Sequence, residues 1–436
     1  MIEVYFETYG CTANQNSSEI MKGLVRKAGL NLTESIDFAE IIVINSCIVK
    51  EATQEKIRRK IQDLIEQTDK KIILAGCMSN QVKDLFPEYL GTRFFLLETS
   101  QIKNILELIQ DIQNKVYYSE KYLKRRKEIK LNLPKIPTHK FIGTTQISEG
   151  CLGDCSYCIV RIAKGKLFSY PQERILESIK NDLQAGCKEI WITSQDNASY
   201  GNDENKNSLP ELLNEILNFK ERFYLRIGMM NPNNVLKILP ELIEIYKHPK
   251  MFKFLHIPIQ SGSNKVLKEM NRKYSREDVL KIISEFKKEI PEITISTDII
   301  IGYPTETQDD WEQTIDIIKQ IKPEILNRSN FGARPGTPAE KLKQIDSEIM
   351  NLRANEIMKL HLAICRQNKK QYLGKDLEVL IDQKGFENTW LGRTENYKLV
   401  AVQSREKLLG KKIKVKINKI SPHYLIGEPL NNPVRN

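Results

Sequence analysis

Three apolar runs near the N-terminus, Glu3–Tyr9, Ile41–Ile44 and Ile72–Ala75, have the length and bounding of buried strands. Between them, Ser17–Ala28 and Glu51–Ile65 show helical periodicity with many charged positions. Alternation of this kind predicts a parallel sheet covered by helices over residues 1–118. Residues 141–370 alternate again, with six strand candidates: Thr144–Ser148, Glu189–Thr193, Phe223–Ile227, Phe254–Ile259, Ile293–Ile301 and Ile325–Phe331. An open sheet and a partial (β/α)6 barrel both satisfy that pattern, and both place ligands at the C-terminal ends of the strands. The character changes from about Tyr372. Leu377–Ile381, Tyr397–Val402 and Ile413–Ile417 are short and alternating, with Gly374, Gly385, Gly392 and Gly410 between them, which predicts a small antiparallel β-barrel over 372–433. The stretch 119–140 carries Lys124, Arg125, Arg126 and Lys127, then Pro134 and Pro137, and reads as a basic linker. The fold class is α/β in three parts.

Charge adds a partner to this picture. The formal net charge is +11, which suits a polyanion such as nucleic acid, although a basic surface kept for solubility fits the number equally well. No apolar run approaches the roughly 20 residues of a membrane span. The chain opens directly on a strand-like segment, Ile2–Thr8, so a signal peptide is not expected and a cytoplasmic location is. In that compartment thiols stay reduced, and 8 cysteines point to metal or redox chemistry rather than disulfides.

Six of the cysteines form two sets. Cys151, Cys155 and Cys158 follow the strand candidate that ends at Ser148. Three thiolates on one short loop can bind three irons of a [4Fe–4S] cluster and leave the fourth iron open. An open iron can chelate the amino and carboxylate groups of S-adenosylmethionine, whose reductive cleavage releases a 5′-deoxyadenosyl radical. Tyr157 suits an aromatic shield for one face of that cofactor. Zinc would need a fourth ligand, and the nearest histidine in sequence is His139. Cys11, Cys47 and Cys77 each follow one of the three N-terminal strands, so a parallel sheet would gather them at one C-terminal edge. Gly10 and Gly76 directly precede two of them and permit tight turns. This set implies a second cluster with its own open iron, against the alternative of three unrelated core cysteines. Cys187 and Cys365 read as structural.

Together these elements closely resemble the methylthiotransferases of the radical S-adenosylmethionine superfamily. The motifs are Thr8-Tyr9-Gly10-Cys11, Asn45-Ser46-Cys47, Ala75-Gly76-Cys77, Glu149–Cys158, Pro258–Ser263, Asp298–Pro304 and Arg334–Ala339, spread over nearly the whole chain. The resemblance implies an N-terminal methylthiotransferase domain, a partial βα barrel and a C-terminal TRAM domain that binds RNA. Lys164–Pro171 and Thr193–Asn197 look most like the archaeal and eukaryotic subgroup that acts on N6-threonylcarbamoyladenosine beside the tRNA anticodon. Eukaryotic members usually carry a C-terminal membrane anchor, and none is visible, so an archaeal origin is expected.

The implied reaction adds a methylthio group to C2 of that adenine, with two [4Fe–4S] clusters and S-adenosylmethionine as cofactors. Other outcomes of the same resemblance are methylthiolation of another tRNA adenosine or of a ribosomal protein. A reading from a different class is a non-catalytic RNA-binding protein that holds zinc. Expected partners are tRNA, an electron donor and a sulfur source, with no membrane and a monomeric chain. Gln195, Gln260, Ser261, Gly262, Asp298 and Gly302 count, with Tyr157, as cofactor contacts. Gln260 could instead stabilise a turn, and Asp298 could be a structural ion-pair partner. Arg226 suits a cofactor carboxylate, an RNA phosphate or a structural ion pair. Arg161 and Arg334 are candidates for the substrate carboxylate. Lys411, Lys412, Lys414 and Lys416 are the expected phosphate contacts on the tail.

Overall fold

In the computed structural model, which describes residues 2–430 apart from 83, 117 and 119, the N-terminal apolar runs form a five-stranded parallel sheet. Positions 431–433 of the expected tail domain lie outside the described residues. The strands are β1 (Glu3–Thr8), β2 (Asn31–Thr33), β3 (Ile41–Ser46), β4 (Lys71–Gly76) and β5 (Phe94–Glu98), in the order β2-β1-β3-β4-β5. Helices α1 (Thr12–Lys27), α2 (Glu51–Gln67) and α3 (Ile105–Gln113) alternate with them. Every residue of β3 and β5 is buried, which is why these runs are continuously apolar rather than alternating. The register aligns their ends: Ser46 pairs with Gly76 and Gly76 with Glu98. Cys47, Cys77 and Thr99 are therefore the next residues out along one edge.

Six longer parallel strands form the central region: β6 (Ile142–Gln146), β9 (Glu189–Thr193), β10 (Tyr224–Ile227), β11 (Phe254–His256), β12 (Thr294–Ile301) and β13 (Ile325–Asn330). They lie in two three-stranded sheets, β10-β9-β6 and β11-β12-β13, and a bridge from Leu225 to Met251 links the two. Spatial order follows chain order throughout. This is a barrel segment, not an open sheet that reverses at a switch point. A small antiparallel pair, β7 (Ser148–Glu149) and β8 (Phe168–Ser169), flanks the short helix α4 (Val160–Lys164). The covering helices are α5 (Gln172–Gln184), α6 (Leu209–Leu217), α7 (Pro232–Val235), α8 (Leu239–Lys247), α9 (Asn264–Glu269), α10 (Arg276–Glu289), α11 (Gln308–Ile321) and α12 (Ser347–Lys370). Ser275 and Thr307 start α10 and α11 with full capping boxes.

The tail is a closed barrel of β14 (Asp376–Lys384), β15 (Thr389–Arg393), β16 (Leu399–Gln403), β17 (Lys412–Ile420) and β18 (Leu425–Pro429). One parallel pair, β16 with β18, closes an otherwise antiparallel ring. The turn between β15 and β16 plugs the N-terminal end of the central barrel. There Tyr397 is buried against Phe252 and Phe254, at ring separations of 4.9 and 4.5 Å. Glu395 and Asn396 accept hydrogen bonds from Lys253 and Thr294 at the strand starts.

The stretch expected to be a linker is a strap. Two of its cations, Lys130 and Lys135, are spent on buried acids, which composition cannot reveal, while Lys124, Arg125, Arg126 and Lys127 are exposed. Lys130 is fully buried and donates to Glu149 at 2.7 Å, and Lys135 pairs with Asp182 at 2.6 Å. The Ile136 and Thr138 N–H groups both donate to Glu19 of α1. Arg125 donates to the Ile162 and Ala163 carbonyls at the end of α4. The N-terminal sheet is thereby fixed to the central barrel. Among the described residues no helix is long and apolar enough to cross a membrane.

Where the tail meets the barrel, Glu189 and Asp382 face one another in a buried pocket beside Arg393. Glu189 Oε1 and both Asp382 oxygens find no hydrogen-bond donor among the described residues. Burial, with Asp382 next to it, pushes the Glu189 carboxyl well above its usual range, and the proton it keeps supplies a donor. A carboxyl raised in the folded state binds more protons than when unfolded, so its contribution is full below the ordinary carboxylate pKa and is lost as pH rises through the folded value. Urea unfolding should therefore show the tail interface weakening from pH 5 to pH 8. Glu189→Gln, neutral throughout, should flatten that dependence.

Candidate active site

The central cysteine loop begins where β7 ends. Gly150 turns the chain with φ of +78°, and a Cβ there would sit 2.2 Å from the Lys166 carbonyl oxygen, so only glycine fits. The Gly150 N–H donates to Gln195 Oε1 at 2.8 Å, which braces the loop against the end of β9. Beyond it, the Gly153 N–H donates to Cys151 Sγ at 3.2 Å, and Arg272 Nη1 donates to Cys155 Sγ at 3.0 Å. Arg272 is itself held by Asn231 Oδ1 at 2.8 Å and Tyr274 Oη at 2.9 Å. Ser156 ties the loop to the end of α9 through the Met270 and Glu269 carbonyls and to the Tyr303 hydroxyl. Tyr157 packs with Val266, Met270, Tyr303 and Phe331. Burial pushes the Cys151 thiol up to about 11 and the Cys158 thiol up to about 12, and the neighbouring Cys155 adds to both. Soft donors in this setting become thiolates when they coordinate a cation.

The N-terminal triad assembles at the sheet edge. Gly10, at φ +105°, brings the Cys11 turn so close that a Cβ on it would lie 2.8 Å from Cys47 Cβ. Asn14, one turn into α1, ties the three loops together. Its Nδ2 donates to the Tyr9 and Ser46 carbonyls at 2.9 and 2.8 Å, and its Oδ1 accepts from Cys77 Sγ at 3.7 Å. Cys47 and Cys77 are buried, while Cys11 is exposed. Burial pushes Cys77 up to about 11; Cys11 and Cys47 lie close enough to push it further, and Lys164 opposes them. Among the described residues no three His, Cys, Asp or Glu side chains converge tightly enough for a single metal ion. Thiolates on one tetrahedral zinc would stand about 4 Å apart. A four-iron cluster would instead take one thiolate on each of three irons.

Between the triads lies a buried ion cluster. Glu149 accepts from Lys130 and from Lys164 Nζ at 2.7 and 3.3 Å, and Lys164 also donates to Thr99 Oγ1 at 3.1 Å. The barrel interior adds His256 and Asn327, whose side chains bond the two Asp298 oxygens at 2.8 Å each. Burial works against ionised Asp298, but the His256 and Asn327 bonds hold its carboxyl below the usual range. Gln260 adopts φ +64°, held in this left-handed conformation by backbone bonds to Asp298 and Ile300. Its neighbours look away from the interior. The Gly262 N–H and Ser261 Oγ engage Thr314 of α11, and a Cβ on Gly262 would lie 2.4 Å from the Gln313 carbonyl oxygen. Gly302 is likewise a packing glycine, under Met350 of α12.

The arginines separate. Arg334 is buried, donates to Gln54 Oε1 of α2 at 3.0 Å, and lies beside Glu51 and Cys47. Arg161 is exposed on α4, whose Ile162 lies against Gly336 of the same loop as Arg334. Arg226 lies at the other end of the barrel, with its guanidinium 4.8 Å from the Trp191 and Phe254 rings and 5.4 Å from Tyr397. On the tail, Lys412, Lys414 and Lys416 alternate outward along β17, and Lys411 precedes them. Lys412 is paired with Glu378 at 2.7 Å. Sequence reasoning left Lys130, Lys164, Arg272, His256, Asn327 and Asn14 without a role. Lys164 and Glu149 lie inside motifs, but Arg272 stands 117 residues from Cys155 and nothing local marks it.

Comparison with known proteins adds family information. The Radical SAM superfamily matches residues 145–318, the TRAM domain residues 370–430, and the family described as uncharacterized protein family UPF0004 residues 3–93. A Pyrococcus horikoshii protein called probable threonylcarbamoyladenosine tRNA methylthiotransferase is 36% identical over 98% of this chain and 99% of its own. The Homo sapiens threonylcarbamoyladenosine tRNA methylthiotransferase is 32% identical over 99% of this chain and 74% of its own. Among solved structures, the radical S-adenosylmethionine methyltransferase TsrM of Kitasatospora setae, with cobalamin and a [4Fe-4S] cluster, aligns with a TM-score of 0.55 at 13% identity, over 78% of this chain and 74% of that one. That likeness shows the fold.

Replacing Arg272 by methionine removes the donor to Cys155. Groups that hydrogen-bond metal ligands typically contribute on the order of 10–100-fold to affinity. In a chain lacking the three N-terminal cysteines, R272M should lose iron to a chelator faster than its parent; equal loss rates would leave Arg272 a structural role only.

Proposed function

The chain belongs to the threonylcarbamoyladenosine tRNA methylthiotransferase family, and on that premise we propose that it transfers a methylthio group to C2 of N6-threonylcarbamoyladenosine in tRNA using two [4Fe–4S] clusters. The observation that carries the two-cluster reading is the pair of cysteine triads on neighbouring edges, one sheet-borne and one on the barrel loop. When bound, a cluster on Cys151, Cys155 and Cys158 with S-adenosylmethionine supplies a radical able to attack an unactivated aromatic C–H, and a cluster on Cys11, Cys47 and Cys77 supplies sulfur.

The protein's own residues bind, orient and exclude water. Arg272 and the Gly153 N–H donate to the central thiolates, and Gln195 fixes the loop that carries them. Tyr157 walls one side of the cofactor. Gln260, with its backbone pinned to β12, offers its amide to the cofactor, while Ser261, Gly262 and Gly302 set its position by close packing. Asp298 is kept ionised by His256 and Asn327 and presents a fixed negative group to the barrel interior. Arg161 and Arg334, on adjoining segments at the rim, are the cations offered to the threonylcarbamoyl carboxylate. Arg226 locks the aromatic floor on which the tail domain sits. Lys411, Lys414 and Lys416 face outward for phosphate; Lys412, engaged by Glu378, contributes less. An electron donor and a sulfur source complete the reaction, and a monomer in the cytoplasm accommodates it.

Anaerobically purified protein should carry about eight irons per chain, falling to about four in a C11A/C47A/C77A variant. About four in both would remove the second cluster, and zinc without iron would contradict the catalytic reading.

A further inference from the structure

Lys164 ends the short helix that follows the central cysteine loop, yet its ammonium reaches the other triad. It is buried and bonded to Thr99, and the strand register places Thr99 beside Cys77, which in turn stands beside Cys47. Its remaining bond, to Glu149 two residues before Cys151, returns to the central loop. Arg125 fixes the end of that helix by capping the Ile162 and Ala163 carbonyls. Lys130 and Lys164 share the single carboxylate of Glu149, and the other buried carboxylate beside them, Glu98, is paired with Arg125, so the group carries one unmatched positive charge. An unmatched buried charge is costly and calls for a counter-charge. Neutral thiols do not supply one. A 2+ cluster held by three thiolates carries one net negative charge and does.

We propose that Lys164 is the electrostatic positioning residue of the N-terminal cluster, supplying its counter-charge and joining its surroundings to the loop of the other cluster through Glu149. This rests on the proposal that Cys11, Cys47 and Cys77 hold iron and sulfur. A cation near a cluster favours the reduced state, so its removal lowers the reduction potential.

The test uses the full chain with Cys151, Cys155 and Cys158 replaced by alanine, which leaves only the N-terminal site. Iron content and an EPR-monitored redox titration are compared for this parent, Lys164→Gln and Lys164→Arg. At the parent's midpoint potential, the reduced-to-oxidised ratio should fall about tenfold in K164Q, about 59 mV for one electron, and largely recover in K164R. Loss of iron in K164Q but not in K164R would support the proposal equally. Coincident titrations would overturn it, and so would loss of iron from both variants, which would make Lys164 a packing residue. A parent without iron would instead sink the two-cluster reading, and this proposal with it.

Discussion

Glu149 accepts from two buried lysines that reach it from different parts of the chain, Lys130 on the strap and Lys164 on the helix beyond the cysteine loop. Burial alone would raise a carboxyl, but the two cations hold Glu149 below its usual range. Removing Glu149 would strand both cations away from water, at a cost of about 3–5 kcal/mol. Because Glu149 is also the last residue of β7, the same contact fixes where the central cysteine loop begins. Because Lys164 also holds Thr99, it fixes the edge of the N-terminal sheet against that loop. The relative placement of the two triads follows from this one cluster of charges.

The opposite end of the barrel is closed by a different kind of contact. Tyr397 brings the tail domain onto an aromatic floor, where Arg226 and Arg393 lie over its ring at 5.4 and 4.5 Å. The floor leaves the C-terminal ends of the strands, with Asp298, Gln260 and the cysteine loop, as the working end. The TRAM domain therefore meets the central barrel at the barrel's strand starts, and its outward lysines are carried by strands that the floor contact orients.

Much of this was legible in the sequence because it is governed by local periodicity. Three of the five N-terminal strands, β1, β3 and β4, and their trailing cysteines follow from continuous apolar runs, and β9 follows from Glu189–Thr193 without adjustment. β15 and β18 escaped because they are short, with Gly392 and Gly427 in them. The packing of the basic stretch escaped the linker reading for a physical reason. Lys130 and Lys135 look like solvated charge in sequence, and only the fold brings Glu149 and Asp182 to them. Arg272, His256 and Asn327 were out of reach for the same reason, since each acts on a partner from a different strand or loop. Ser261, Gly262 and Gly302 were visible as motif residues, but their task of letting helices approach closely is one that a sequence pattern does not distinguish from ligand contact.

The proposed reaction divides the labour between the triads: the barrel loop would generate the radical and the sheet edge would deliver the sulfur. The most direct measurement incubates wild-type and C11A/C47A/C77A protein anaerobically with reductant, S-adenosylmethionine and threonylcarbamoyl-tRNA, and quantifies 5′-deoxyadenosine and the modified nucleoside by mass spectrometry. Wild type should yield both. The variant should still yield 5′-deoxyadenosine but no methylthiolated nucleoside. Methylthiolated product from the variant would contradict the account.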